Sequence, residues 1–419
     1  MSDSVRPTRN YTELSGDEAL QRIREGESLN GFEIGSLTLS GEFEKPIVIK
    51  ACSIKRLTVS DVEFKARVQI RSCDLYRPHF GKDSHFAEGL DLRNSQIYSL
   101  TMEGVKFGGS VRLDNAELER HVRFRKCEFG EDLRLWQAHF RQWVEFSGCV
   151  FKDKADMRSF VADEGFELLD CHFQGDVLIR GAAVTKKFNF GESKFDGVLD
   201  LSKAKLHDYT YMEDVQLGDK ASFAFSNTIG DRLLVSVDQI DGRMASEKEG
   251  DYDTAKSEYA FLKRNYETLN RHEDEDWAYY RFKVNQRRGN SRSWLRPWTK
   301  LRGFLSWFFL DLGCGYGVKP FRAVASAAAL IVLFGIIYMS GTNMFNVETQ
   351  PIKDLPVEHG MNRALFGMAT SVSVFTAGFT GDHLRSAHGW MLVPLAVEAL
   401  LGTLLWALFI VSFSRKVIR

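Results

Sequence analysis

Residues 111–129, VRLDNAELERHVRFRKCEF, contain a pattern that returns along much of the chain. Large apolar residues recur every eleven positions, and a second apolar series with the same period begins five positions after the first. The intervals between apolar positions therefore alternate between five and six residues. The first series is Leu113, Phe124, Leu135, Phe146, Met157, Leu168, Ile179, Phe190, Leu201, Met212 and Phe223. The second series is Leu118, Phe129, Phe140, Phe151, Ala162, Phe173, Val184, Phe195, Leu206 and Leu217.

Small side chains follow a doubled period of the same pattern. Cys127, Cys149 and Cys171 are 22 residues apart, and alanines alternate with them two positions before members of the second series. A repeat of this length predicts a solenoid in which four short strands form one coil. Stacked strands are about 4.8 Å apart, so identical positions should form ladders in a dry interior.

The repeat resembles the pentapeptide-repeat family, in its variant with alternating five- and six-residue steps and A/C-x-F units. The resemblance covers about residues 31–235 and implies a right-handed, four-sided parallel β-helix with the Phe/Leu and Ala/Cys positions inside, in a domain of residues 31–240. The six cysteines include no CxxC pair, so we expect free, buried thiols. The histidines His121, His139 and His172 fall on outward or turn positions, and we expect them to be solvated.

Charge and composition argue against several functions. Lys and Arg number 55 against 56 Asp and Glu, and the two signs are nearly balanced across the repeat, so we expect no nucleic-acid partner. No catalytic constellation stands out, and we expect neither an enzyme nor a cofactor. Residues 1–30 form an N-terminal cap or segment without the apolar core of a signal peptide.

The period changes to that of a helix in residues 241–290. Apolar and tyrosine side chains from Tyr252 to Leu269 recur at steps of three and four, and residues 271–289 predict a second helix. The pair, which we call the neck, resembles segments that join pentapeptide repeats to channel-like membrane domains. We expect its apolar stripe to pack against the end of the solenoid or against a neighbouring subunit.

Residues 291–318 mix tryptophan with Lys and Arg, which suits a helix at the headgroup level of a bilayer. The sequence GYG at Gly315–Gly317 resembles part of a potassium filter. No apolar pore helix precedes it, however, and we interpret it as a turn before Pro320.

Residues 319–419 contain two long apolar runs. Residues 323–347 are uncharged, and residues 390–413 are interrupted only by Glu398. Each is long enough to cross about 30 Å of hydrocarbon. Basic residues before the first run and after the second predict that both ends of the chain lie in the cytosol, with two spans in the cell (inner) membrane.

Residues 361–375, MNRALFGMATSVSVF, are apolar but too short to cross, which favours a re-entrant pore helix in a loop near residues 361–382. From Asn362 to Arg419 the chain resembles the two-transmembrane potassium-channel pore domain. That resemblance implies a filter at Thr376, Ala377, Gly378, Phe379, Thr380, Gly381 and Asp382. Threonine at 380 departs from the glycine of that family and resists positive φ, which puts potassium selectivity in doubt.

Five residues of this region are open to two interpretations each. Glu398 would face the helix bundle, where it either bonds the pore helix or contacts ions. Gly402 is either a gating hinge or a close helix contact. Asp382 is either at the outer mouth or a solvated loop carboxylate. His383 and His388 flank that mouth, and they either sense protons or have no role in the pore.

We therefore expect a multidomain protein: a pentapeptide-repeat solenoid, an α-helical linker and an all-α two-transmembrane pore domain. The expected function is a cation channel subunit, conducting K⁺ or Na⁺ and forming a homotetramer because two spans cannot enclose a pore. Membrane lipids and an unknown protein or ligand on the β-helix are the other expected partners, and no metal is expected beyond permeant cations. The alternative is a membrane-anchored scaffold that recruits a protein partner, with a non-conducting anchor.

Overall fold

A computed structural model describes residues 11–291, 303–304, 306–345, 360–378 and 387–417. The chain divides into two compact units, Met1–Phe282 and Lys283–Arg419. The first contains a parallel β-solenoid with its flanking helices, and the second contains the apolar helices.

The solenoid has about ten coils, and its strands pair only in parallel, each with the equivalent strand of the next coil. The first ladder contains one strand from each coil: Leu29–Asn30, Ile47–Lys50, Val68–Arg71, Leu90–Asp91, Val111–Arg112, Leu133–Arg134, Ala155–Asp156, Val177–Leu178, Val198–Asp200 and Ser222–Ala224. The strand register from coil to coil is 22 residues through the central repeats, as the sequence predicts.

Three further ladders complete the coils. The second comprises Asp74–Leu75, Gln96–Ile97, Glu117–Leu118, His139–Phe140, Val161–Ala162, Ala183–Val184 and Lys205–Leu206. The third comprises Pro78–Phe80, Leu100–Glu103, Val122–Arg125, Val144–Ser147, Phe166–Leu169, Phe188–Asn189, Thr210–Tyr211 and Leu233–Leu234. The fourth comprises His85–Phe86, Lys106–Phe107, Glu128–Phe129, Val150–Phe151, His172–Phe173, Lys194–Phe195 and Gln216–Leu217.

The first coils differ from the rest. Thr12–Leu14 pairs with the twelve-residue strand Phe32–Phe43, which pairs in turn with Ser53–Phe64, also of twelve residues. Ser53–Phe64 then pairs with the first short strand of each of the other three ladders. The corners that separate short strands later in the chain are therefore spanned here by continuous strands.

The interior consists of the apolar series that the sequence defines. Members of both series from Leu113 to Leu206 are buried, and so are Cys127, Cys149 and Cys171. Phenylalanine rings of the fourth ladder stack from coil to coil, with centroids 4.8 Å apart for Phe129 and Phe151 and 4.5 Å apart for Phe151 and Phe173. All six cysteines are free and buried, as predicted.

The backbone repeats as regularly as the side chains. Nine consecutive members of the first apolar series are each followed, two positions later, by a residue with positive φ. These nine are Asn115, Lys126, Gln137, Gly148, Ser159, Asp170, Gly181, Glu192 and Lys203. A left-handed residue therefore turns the chain once in every eleven residues, whatever its side chain.

Helices cover both ends of the solenoid. At the N-terminal end α1, Gly16–Glu25, buries Ala19 and Ile23 against the first strands. At the other end the chain forms α2, Val237–Ile240, α3, Ala245–Lys248, α4, Tyr252–Thr268, and α5, His272–Ser291. The two helices predicted for the neck are confirmed as α4 and α5.

In the second unit, residues Ser306–Leu312 form a π-helix that is followed by a turn at Gly315–Gly317. Three long helices follow: α6, Pro320–Ser340, α7, Gly360–Ala377, and α8, Leu392–Val417. The helix predicted at residues 361–375 is confirmed as α7. Among the described residues, two helices, α6 and the one formed by Gly389–Ser414, are long and apolar enough to cross a membrane.

Candidate functional site

A polar cluster joins the three long helices of the second unit. Glu398 of α8 accepts hydrogen bonds from Tyr338 Oη of α6 at 2.5 Å and from Ser371 Oγ of α7. All three side chains have no exposed surface. Of the two interpretations of Glu398, the structure shows the bond to a hydroxyl of α7. Tyr338 was not foreseen, because it lies 60 residues away in sequence.

Glycines allow these helices to approach closely. A Cβ added at Gly402 would lie 2.8 Å from the carbonyl oxygen of Phe375, so α8 contacts the backbone of α7 there. A Cβ at Gly367 would lie 2.3 Å from the carbonyl oxygen of Gly335 in α6. The structure therefore shows the close helix contact that was one of two interpretations of Gly402.

The described part of the filter-like sequence lies at the C-terminal end of α7. Thr376 Oγ1 donates to the Val372 carbonyl at 2.7 Å, and the helix ends at Ala377. Gly378 has a φ of +55°, and a Cβ there would lie 3.0 Å from Thr403 Oγ1 of α8. Residue 378 therefore has a left-handed backbone and little room for a side chain, and both features favour glycine. The predicted filter residues Phe379, Thr380, Gly381 and Asp382 lie outside the described residues, as does His383.

The turn predicted at Gly315–Gly317 is confirmed. All three residues have positive φ, and the Val318 amide donates to the Gly315 carbonyl at 3.2 Å. Tyr316 adopts a φ of 57° within this turn.

Charged side chains on the solenoid pair with each other. Asp91, whose side chain is only 2% exposed, accepts hydrogen bonds from Arg71 and Arg93. Burial opposes ionisation of this carboxyl, but the two guanidinium groups outweigh it and lower its pKa. Equivalent Arg–Asp pairs recur along the first ladder, for example between Arg158 and Asp156 at 2.7 Å. The arginines of this face therefore already have anionic partners.

The three histidines singled out in the sequence lie on the outside of the solenoid. His121 is exposed, whereas His139 and His172 are partly buried. Each of the latter two bonds an aspartate 24 residues further on, Asp163 at 2.9 Å and Asp196 at 2.7 Å. The hydrogen bond from His172 lowers the pKa of Asp196. Among the described residues, no group of three or more His, Cys, Asp or Glu side chains could hold a metal ion.

The neck helix α4 binds the last strands of the solenoid through two buried polar side chains. Glu258 accepts a hydrogen bond from the Phe225 amide at 2.8 Å and another from Ser246 Oγ. Asn265 accepts from the Leu233 amide at 2.7 Å and donates to the Leu233 carbonyl at 2.8 Å. Tyr259, Leu262 and Tyr266 join the solenoid core, so the stripe packs against the end of the solenoid, one of the two predicted places.

A family model described as pentapeptide repeats (9 copies) matches residues 102–150. The chain therefore contains pentapeptide repeats within a parallel β-solenoid. The comparisons with curated proteins and with solved structures found no match.

Proposed function

We propose that the protein is a subunit of a membrane cation channel whose pentapeptide-repeat domain is a cytosolic regulatory or scaffold domain. One observation carries the proposal: α7 ends at Ala377, directly before Gly378, the first glycine of a filter-like sequence, and α8 holds α7 in place. Glu398 bonds Ser371, Gly402 contacts Phe375, and Thr403 lies beside Gly378. These are contacts that would position a filter on an inner helix.

The two long helices suit a bilayer better than a protein core. Only 22% and 33% of their most apolar windows are buried within the chain. Side chains such as Phe321, Ile336 and Val393 are more than half exposed although they are large and apolar. Membrane lipids would cover them. The basic residues beside both spans favour an inner-membrane topology with the solenoid and the C-terminus in the cytosol.

An unpartnered stripe on α7 supports assembly. Met361, Leu365 and Val372 lie on one face of this helix and are 45–75% exposed. The same helix is not among those long and apolar enough to cross a membrane, and its C-terminal end leads directly into the filter-like sequence. Since two spans cannot enclose a pore, we propose a homotetramer in which neighbouring subunits cover this stripe.

The C-terminal ends of four α7 helices would direct partial negative charge towards a central cavity, which favours a cation. The proposed permeant ion is K⁺ or Na⁺, with selectivity weakened by Thr380. The proposed role is non-enzymatic and needs no cofactor. We further propose that the solenoid is right-handed and four-sided, which four strand ladders support, and that an unidentified protein or ligand, not a nucleic acid, binds it.

The test is flux of K⁺ and Na⁺ from liposomes that contain the full-length protein. Gly378→Ala should abolish flux, because alanine resists the left-handed backbone and crowds Thr403. Gly389→Ala is the matched control: Gly389 has a φ of +66°, but its nearest neighbour to an added Cβ is 4.0 Å away. Flux no greater than that of empty liposomes, from wild-type protein shown to be folded and tetrameric, would contradict the proposal.

The membrane-anchored scaffold is the second candidate. It is favoured because the family match falls on the solenoid alone, and because a solenoid presents long surfaces to partners. In that case the wild type and Gly378→Ala would both lack flux, and the solenoid would retain a protein partner.

A further inference from the structure

Asp311 lies at a junction of three elements in the second unit. It belongs to the π-helix Ser306–Leu312 and is 7% exposed. Its Oδ2 accepts a hydrogen bond from Arg287 Nη1, at the end of α5, at 2.6 Å. Arg322 Nη1, at the start of α6, lies 3.6 Å from Oδ1 and donates to the Asp311 backbone carbonyl at 3.3 Å.

The segment that contains Asp311 also contacts both membrane helices. Ser326 Oγ of α6 donates to the Leu312 carbonyl at 3.3 Å. A Cβ at Gly313 would lie in van der Waals contact with Leu405 of α8, 3.6 Å away, and the turn at Gly315–Gly317 packs against α8. One short segment therefore touches the end of the neck and the first and last membrane helices.

The contacts at this junction depend on a single carboxylate, that of Asp311. A nearly buried carboxylate between two guanidinium groups has strong attraction to both, and removing it leaves Arg287, whose side chain is 18% exposed, without that partner. π-Helical turns are rare and are frequently found at functional sites. The geometry and the unusual backbone are independent observations at the same residue.

We propose that Asp311 is a positioning residue that ties the neck to the membrane helices, so that displacement of α5 is passed to α6 and α8. This link from α5 to α6 and α8 through Asp311 does not depend on ion conduction. Its consequence, that movement of the neck changes flux, rests on the proposed channel function.

The test is hydrogen–deuterium exchange of the full-length protein in lipid nanodiscs. Arg287→Gln and Asp311→Asn should each speed exchange in residues 283–291, and also in residues 320–330 of α6. We expect a change of about tenfold, since losing one charge-assisted hydrogen bond shifts a local opening equilibrium by roughly that factor. The effect of Arg287→Gln on α6 is decisive, because Arg287 would act there only through Asp311. Asp253→Asn, in an exposed ion pair of α4 with Lys256, is the control and should change neither segment.

The double variant Arg287→Gln/Asp311→Asn should resemble Asp311→Asn alone, because both changes remove the same bond. Additive effects, or exchange of residues 320–330 that is unchanged in Arg287→Gln, would overturn the proposal. Liposome flux is measured on the same variants. If the wild type conducts, Asp311→Asn should change the flux. If the wild type does not conduct, the proposed channel function is wrong, and the exchange result still shows whether Asp311 links α5 to α6.

Discussion

At the scale of single residues, Glu258 shows how a buried carboxyl can cap the solenoid. Burial raises its pKa above the ordinary value of 4.5, against the opposing effect of its hydrogen bonds to Ser246 and Phe225. The unfolded chain therefore loses this proton at a lower pH than the folded chain does. Its contribution to stability falls as the pH rises from about 4.5 through the folded pKa and is constant above it.

We predict that Glu258→Gln, which retains hydrogen-bonding groups at both positions, removes this part of the pH dependence and is no less stable at pH 8. Glu258→Leu should cost about 1–3 kcal/mol because the Phe225 amide loses its acceptor. Denaturant midpoints between pH 5 and 8 measure both effects, with the exposed Glu267→Gln as control. A difference between wild type and Glu258→Gln that does not vary with pH would disprove the argument.

A second prediction at the residue scale concerns Glu398. Glu398→Leu leaves the hydroxyl groups of Tyr338 and Ser371 buried without their acceptor, at a cost of about 1–2 kcal/mol for each bond. Glu398→Gln should be milder because it retains an acceptor. Thermal unfolding in detergent measures the loss, and Val397→Ala, at a position 43% exposed, is the control. Equal stability of Glu398→Leu and the control would show that the cluster does not hold the helices.

At the scale of elements, the crossing of α6 and α7 depends on two glycines that are not equivalent. A Cβ at Gly367 would meet a backbone carbonyl, which cannot move alone, whereas a Cβ at Gly335 would meet Met368 Sδ at 2.7 Å, at the end of a flexible side chain. We predict that Gly367→Ala destabilises the second unit by about 1–3 kcal/mol, and Gly335→Ala by clearly less. Thermal unfolding of the two variants side by side measures this, and the reverse order would contradict the close crossing.

The elements also show what sequence could predict. The solenoid period, both neck helices and α7 are visible because burial imposes a regular spacing on apolar residues. The left-handed corner residues were not foreseen, since side chains as different as Lys126, Ser159 and Glu192 occupy them. The partners of Glu398 and Asp311 come from separate helices, and spacing along the chain does not encode such contacts.

At the scale of the whole molecule, the chain combines a capped solenoid with a helical unit in which α8 holds α7. The solenoid follows from the repeat and from the pairing of its strands. The channel is a proposal that rests on the geometry around Gly378 and Glu398. A measurement of ion selectivity tests the channel proposal directly.

That measurement is the reversal potential of the purified full-length protein in a planar lipid bilayer with a KCl gradient. The account predicts currents that reverse near the equilibrium potential of K⁺, because the proposed pore would admit cations and exclude chloride. Replacing K⁺ by Na⁺ on one side then measures how far Thr380 relaxes selectivity. Reversal near the chloride potential, or no current from protein shown to be tetrameric, would contradict the cation pore.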